Sequence, residues 1–180
     1  KELDFCFGAH ENYLVEDLKI SMKNQFNLEP SNILIKDNGV NITYNVLPLA
    51  RFFAKYCGKG AHNKHVPTFL FDAPIDYFLG FLKGYILGDG HITKEGKITT
   101  ASVSKQLILE LNWLCRMHGI KSFINEYTSK GGRKIGKTIL NKDTIAYRLG
   151  VPKTSNPFIF RNKSKNYVKK PIIKKITKLP

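Results

Sequence analysis

An internal repeat is the feature that most narrows what this chain can fold into. Leu14 and Leu18, one turn apart on the stripe of ENYLVEDLKISMKNQF that continues to Met22 and Phe26, recur 93 residues later as Leu107 and Leu111. The later stripe, in KQLILELNWLCRMHGI, carries on through Leu114 to Met117 or His118 and stops at Gly119. At the same offset, the hairpin signal at Asn38-Gly39, set between β-rich runs, meets Gly131-Gly132, which predicts a second hairpin over residues 122–140. A helix expected from Leu47, with Pro48 in its first turn and Gly58 as its stop, corresponds to a short helix over NKDTIAYRLG, residues 141–150. LDFCFG (residues 3–8) reads as a strand, and HITKEGKITTASVS as a hairpin turning at Glu95-Gly96.

Each unit therefore reads helix, hairpin, helix, hairpin, helix. The helix over IDYFLGFLKGYILGDG opens the second unit, and the matching helix of the first unit would lie upstream of residue 1. The expected class is α+β: two αββαββα repeats, the first lacking its opening helix. The expected domains are residues 1–72, residues 73–160 and a basic extension, residues 161–180.

The opening helix of the second unit poses a physical question. Gly84 and Gly88 inside an apolar helix each cost about 1 kcal/mol relative to Ala. Glycines four apart let another backbone come close, and Asp89-Gly90 places an acid where the helix ends.

Charge points to the partner. The formal net charge is +15, and it is lopsided. Residues 1–120 hold 13 Lys/Arg against 12 Asp/Glu, whereas residues 121–180 hold 16 against 2, namely Glu126 and Asp143. So one-sided a field favours a polyanion, with nucleic acid ahead of an anionic membrane surface. No run of about 18 apolar residues is present, so no membrane span is expected. Cys6, Cys57 and Cys115 are odd in number and form no CxxC pair, which argues against a zinc site or a disulfide framework and for a reducing, cytoplasmic compartment.

The stretch Leu82-Lys83-Gly84-Tyr85-Ile86-Leu87-Gly88-Asp89-Gly90 resembles the LAGLIDADG motif of homing endonucleases. HNKHVP, after Gly58 and Gly60, resembles the Lys-x-Ile-Pro block between the two repeats of the intein-encoded, two-motif branch. SVSKQLILELNWLCRMHGIKSFI is similar to the segment after that branch's second motif, and FIFRNKSK is a weaker match to its closing stretch. Leu87 replaces the motif's first acid, while Asp89 keeps the second.

The resemblance implies a site-specific endonuclease that hydrolyses double-stranded DNA on a saddle of antiparallel strands. It implies Mg²⁺, with Mn²⁺ as a substitute, held by Asp89 and the carbonyl of Gly90, and close helix packing at Gly84 and Gly88. Lys64 is implied as the catalytic basic residue near the active site of the first repeat, polarising the water or balancing charge on the phosphate, and Lys165 as its counterpart in the second, with Lys163 close behind. Lys121, Lys130, Arg133, Lys134 and Lys137 are the expected DNA contacts of the second hairpin, with Tyr127, Thr128 and Ser129 among them. Asn38, Asn41, Thr43 and Asn45 would serve in the first hairpin, while Leu111, Trp113 and Phe123 are expected in the core. His62 and His65 have no third ligand at suitable spacing and read as loop or DNA-facing groups. His62-Asn63 mimics the end of an intein, but Lys64 follows where splicing needs Ser, Thr or Cys. The missing first motif is expected upstream in a longer polypeptide, or else from a homodimer. The competing reading is a non-cleaving, sequence-specific DNA-binding module with an incomplete active site; an RNA-binding, maturase-like role is weaker still.

Overall fold

A computed structural model of the chain describes residues 2–36, 38–132, 134–135, 138–139 and 141–158, with only the backbone at 134–135 and 138–139. The chain divides into two compact units, Lys1–Pro67 and Thr68–Pro180.

The first unit begins with β1 (Leu3–Gly8), whose alternation sends Phe5 and Phe7 inward. Helix α1 (Asn12–Phe26) follows, and Asn27 stops it in the left-handed conformation at φ 53°, a position that Asn tolerates. Strands β2 (Asn32–Lys36) and β3 (Gly39–Tyr44) form the hairpin expected around Asn38-Gly39. The sheet order is β1-β3-β2, all antiparallel. Val15 and Met22 of α1 pack against Val40, Ile42 and Tyr44 of β3 to make the core. Helix α2 (Leu47–Cys57) has Pro48 in its first turn, and Gly58 ends it at φ 79°. Phe26 closes the predicted stripe of α1 but is 49% exposed, so that stripe is buried only through Met22.

The second unit begins with α3 (Ile75–Asp89), which runs directly into β4 (Gly90–Ile92). Thr93 closes the turn to β5 (Ile98–Ser102), accepting from the amide of Gly96 at 2.8 Å. Ser104 caps α4 (Lys105–Met117), its hydroxyl accepting from the Leu107 amide at 3.2 Å. Then come β6 (Phe123–Ser129), the two-residue strands β7 (Lys134–Ile135) and β8 (Thr138–Ile139), and β9 (Thr144–Val151). The main sheet has the order β4-β5-β9-β6, and β7 and β8 form a separate ribbon. Leu107, Ile108, Leu111, Leu114 and Cys115 of α4 share the buried interior with Phe78, Leu82 and Ile86 of α3.

Three expectations are corrected. NKDTIAYRLG is not a helix: it falls almost wholly in β9, where Ala146, Leu149 and Val151 are buried. The reason is an enlarged loop. β6 pairs with β9 from Ser129↔Thr144 onward, so residues 130–143 form an insertion and the repeat offset no longer holds beyond it. With that shift β5-β9-β6 matches β1-β3-β2 strand for strand. For the same reason, the partner of β6 is β9 rather than the run just after Gly131-Gly132. Trp113 is 64% exposed and Phe123 37% exposed, so neither is core; Leu111 is fully buried as expected. Of the two alternatives at the end of α4, Met117 is 53% exposed and it is His118 that packs inward, stacked on Phe78 with ring centroids 5.4 Å apart.

Candidate active site and nucleic-acid interface

Helix α3 has two faces of opposite character. Phe78, Leu82 and Ile86 are buried at helical spacing, whereas Gly80, Gly84 and Gly88 lie on open space, where an added Cβ would meet no atom within 4 Å. The close approach expected at Gly84 and Gly88 is therefore not made by this chain's own described residues. Leu87, at the place of the motif's first acid, is 40% exposed.

Gly90 dictates how the helix ends. Its amide still donates to the carbonyl of Ile86, but its backbone is already extended and enters β4. A Cβ there would lie 2.7 Å from the Ile86 Cα and 2.8 Å from its carbonyl oxygen, so only glycine fits. Asp89 is consequently held at the junction of helix and sheet with its side chain exposed. Its main-chain carbonyl, one of the orphan acceptors of a helix end, takes the hydroxyl proton of Thr100 at 3.0 Å.

A cleft of about 280 Å³ opens at this junction. Asp89, Gly90 and His91 form one side, with Thr99, Thr100 and Ala101 of β5 and Arg148 of β9 around it. Register explains why Arg148 is there. His91 pairs with Thr99, Ala101 with Arg148, and Arg148 with Asn125, and cross-strand partners share a face. His91, Thr99, Arg148, Asn125, Tyr127 and Ser129 thus present one polar face, opposite the buried Ile98, Leu149 and Val151. On that face the Arg148 guanidinium lies over the Tyr127 ring at 4.7 Å, and the Lys97 ammonium over Phe123 at 5.6 Å. Phe123 itself covers Gly150, where a Cβ would collide with its ring at 2.3 Å. Beneath the cleft, burial pushes the phenol of Tyr85 above its ordinary pKa.

The remaining expected residues are distributed as follows. Lys64 follows the short 3-10 turn Ala61–Asn63 in the first unit, while Asp89 belongs to the second. His65 bonds to the carbonyl of Val66 at 3.2 Å rather than to any metal-ligand partner. Lys121 is exposed ahead of β6. Lys130 is exposed and pairs with Asp143 at 3.2 Å, and the Asp143 carboxylate also accepts the Gly131 amide at 2.8 Å, which fixes the loop and holds its pKa below the usual carboxylate value. Lys134 lies on β7, of which only the backbone is described; Arg133, Lys137, Lys163 and Lys165 lie outside the described residues. In the first unit Thr43 donates to Asp4 at 2.7 Å across β1 and β3. Arg148 and His91 were absent from the sequence expectation. Assigning residues 141–150 to a helix hid Arg148, although the alternation Ala146, Arg148, Gly150 against Tyr147, Leu149, Val151 carries the strand signal.

Among the described residues no three of His, Cys, Asp and Glu cluster as a metal site. The Asp89 carboxylate and the Gly90 carbonyl are nonetheless hard oxygen donors at one helix end. Mg²⁺ is commonly held by one or two carboxylates completed by substrate phosphates and water, and these residues fit that role. No helix of the described residues is long and apolar enough to cross a membrane.

Comparison with known proteins agrees with this geometry. Residues 76–147, from α3 into β9, match the LAGLIDADG-like domain family. In fold, the chain is similar to the homing endonuclease I-DmoI in mesophilic variants, with TM-score 0.59 at 11% identity over 86% of this chain and 75% of that one. The crystal structure of I-DmoI in complex with DNA and Mn gives TM-score 0.59 at 12% identity over 86% and 76%. The α+β fold with antiparallel sheets expected from the sequence is thus the fold found.

In sequence, an uncharacterized protein of Methanocaldococcus jannaschii is 31% identical over 138 residues, which is 72% of this chain and 15% of that protein. A DNA polymerase of Thermococcus sp. is 32% identical over 113 residues, 57% of this chain and 7% of the polymerase. A replication factor C small subunit of M. jannaschii is 35% identical over 100 residues, 51% and 5%. The chain spans only a small part of the length of these relatives.

Proposed function

We propose that this chain is a homing endonuclease module that hydrolyses phosphodiester bonds of double-stranded DNA with a divalent metal, Mg²⁺ or Mn²⁺. The observation that carries this reading is the junction at Asp89. An exposed carboxylate ends a glycine-faced helix and shares a cleft with Arg148, on a sheet face lined by polar and cationic groups. Asp89 and Gly90 would hold the metal, which when bound stabilises charge on the attacking and leaving oxygens. Arg148 faces the phosphate or base beside that carboxylate, and Lys121 and Lys130 extend the cationic surface. Lys64 and Lys165 remain proposed cations of the two half-sites.

The intein-encoded origin belongs to this proposal. Its support is that similar stretches occupy small fractions of a DNA polymerase and of a replication factor subunit, as a mobile insert in unrelated hosts would. The open glycine face of α3 is the surface on which a second helix of this kind would pack, supplied by preceding polypeptide or by another copy of the chain. Supercoiled plasmid carrying candidate targets, incubated in Mg²⁺ and in EDTA, tests the activity. Metal-dependent nicking or linearisation supports it, and intact plasmid in Mg²⁺ and Mn²⁺ overturns it.

A second reading, a DNA-binding module without cleavage, is favoured by one observation. Among the described residues Asp89 is the only carboxylate lining the cleft, with Leu87 where the motif's first acid would stand. Specific duplex binding in Ca²⁺ or EDTA without nicking would select it.

A further inference from the structure

Two hydrogen bonds made by hydroxyls of β5 beneath the cleft hold the start of α4 and the end of α3, and the endonuclease reading does not by itself require them. The Ser104 amide donates to the Ser102 hydroxyl at 3.0 Å. The Thr100 hydroxyl donates to the Asp89 carbonyl at 3.0 Å. Thr100 has a single hydroxyl proton and spends it on that carbonyl. Beside it, burial pushes the pKa of the Tyr85 phenol up, and the neighbouring Thr100 and Ser102 hydroxyls pull the other way.

From the bond between Thr100 and Asp89 we infer that Thr100 is a positioning residue that fixes the peptide after Asp89 and with it the aim of the Asp89 carboxylate. Thr100 is only 3% exposed, so water does not compete for the bond and the low local dielectric strengthens it. The Gly90 amide is tied to Ile86 on one side of that peptide and Thr100 holds the Asp89 carbonyl on the other. The helix end therefore has two fixed points. A hydroxyl placed only to satisfy its own burial could bond any nearby acceptor; this one takes the carbonyl of the residue whose side chain enters the cleft.

The functional half of this inference rests on the endonuclease reading. The test compares Thr100→Val, Thr100→Cys and Thr100→Ser in the full chain, using Mn²⁺ as the probe. Three quantities are read: Mn²⁺ affinity by electron paramagnetic resonance, kcat and KM on duplex DNA, and hydrogen exchange of the Gly90 amide in metal-free protein. Thr100→Val is expected to lower Mn²⁺ affinity about 10- to 100-fold, the usual effect of losing a group behind a ligand. It should lower kcat, leave KM for DNA unchanged and speed exchange at Gly90. Thr100→Ser keeps the hydroxyl and restores all three, and Thr100→Cys, a weak donor, shifts them in the direction of Thr100→Val. Wild-type exchange at Gly90 in folded Thr100→Val, or equal impairment of the Ser and Val variants, overturns the inference. Should Thr100→Val fail to fold, Thr100→Cys decides it by the same readouts. If the wild-type chain neither binds Mn²⁺ nor cuts, the endonuclease reading falls, while the exchange pattern still decides whether Thr100 clamps the helix end.

Discussion

The guanidinium carbon of Arg148 lies 4.7 Å from the centroid of the Tyr127 ring, and the two residues come from adjacent strands on the face that opens beside Asp89. Stacking preorganises the fork of donors, so that less rotamer freedom is lost when it meets a phosphate or a guanine edge. Arg148→Ala is therefore expected to weaken duplex binding. A loss of about 1–3 kcal/mol confined to particular base pairs would mark base readout, and a uniform loss with a salt slope lower by about 1 would mark a phosphate contact. Arg148→Lys should not restore it, because lysine lacks the planar fork. Tyr127→Leu should cost about 0.5–1 kcal/mol through the lost cation–π contact. Fluorescence anisotropy across a salt series separates these outcomes, and unchanged binding by Arg148→Ala would remove the residue from the interface.

Asp89→Asn keeps the shape of the helix end while deleting the only carboxylate that the described residues bring to the cleft. Groups standing behind a metal ligand already cost about 10- to 100-fold when removed, so losing the ligand itself should reduce metal-dependent cleavage by more than about 100-fold. Duplex affinity measured in Ca²⁺-free buffer should stay within a small factor of wild type. Undiminished cutting would sink the assignment of Asp89 as metal ligand.

How far the sequence could be read depended on where the repeat stayed in register. The pairs Leu14/Leu107 and Leu18/Leu111 place α1 and α4 correctly, and Gly58 and Gly90 mark real helix ends, because each rests on local chemistry: a periodic apolar stripe, a positive φ at Gly58, or a backbone approach at Gly90 too close for a Cβ. Register failed after Ser129, where an insertion of loop and ribbon separates β6 from its partner. The alternation around Arg148 is a local strand signal but a short one, outweighed by the helix that the repeat offset predicts for NKDTIAYRLG; the pairing with both β5 and β6 settles it, and that is a long-range fact. Arg148 was lost from the expected site for this reason alone. Trp113 was misplaced differently: size and aromaticity suggested core, but its position on α4 faces away from Leu107, Leu111 and Leu114.

The glycines of α3 and its end make opposite predictions. Gly84→Ala adds a methyl group into open space in this chain and removes a poor helix former, so it should stabilise the chain by about 1 kcal/mol. Gly90→Ala drives its Cβ against the Ile86 backbone, which cannot yield as a side chain can, and should destabilise by about 1–3 kcal/mol. Urea denaturation of the two variants measures both. A longer polypeptide or a dimer in which another helix packs on Gly84 would reverse the sign of the first effect, so the same substitution reports whether that face is covered.

Cys115 supplies a test of the second unit's interior that is independent of DNA. Its thiol is fully buried, and loss of hydration pushes its pKa from 9.0 up to about 12, with the neighbouring Ser122 hydroxyl pulling the other way. The folded state therefore keeps the proton at pH values where the unfolded chain releases it. The stabilisation from the neutral buried thiol is complete below pH 9.0 and is lost progressively as pH rises from there toward about 12. The stability difference between wild type and Cys115→Ala should accordingly be flat up to the unfolded value and shrink above it, which cancels the common effect of titrating lysines and tyrosines. In the native protein at neutral pH, Ellman's reagent should label the exposed Cys6 rapidly and leave Cys115 unreacted until denaturant is added. Rapid native labelling of Cys115 would mean that the packing of α4 against the sheet opens far more readily than this interior allows.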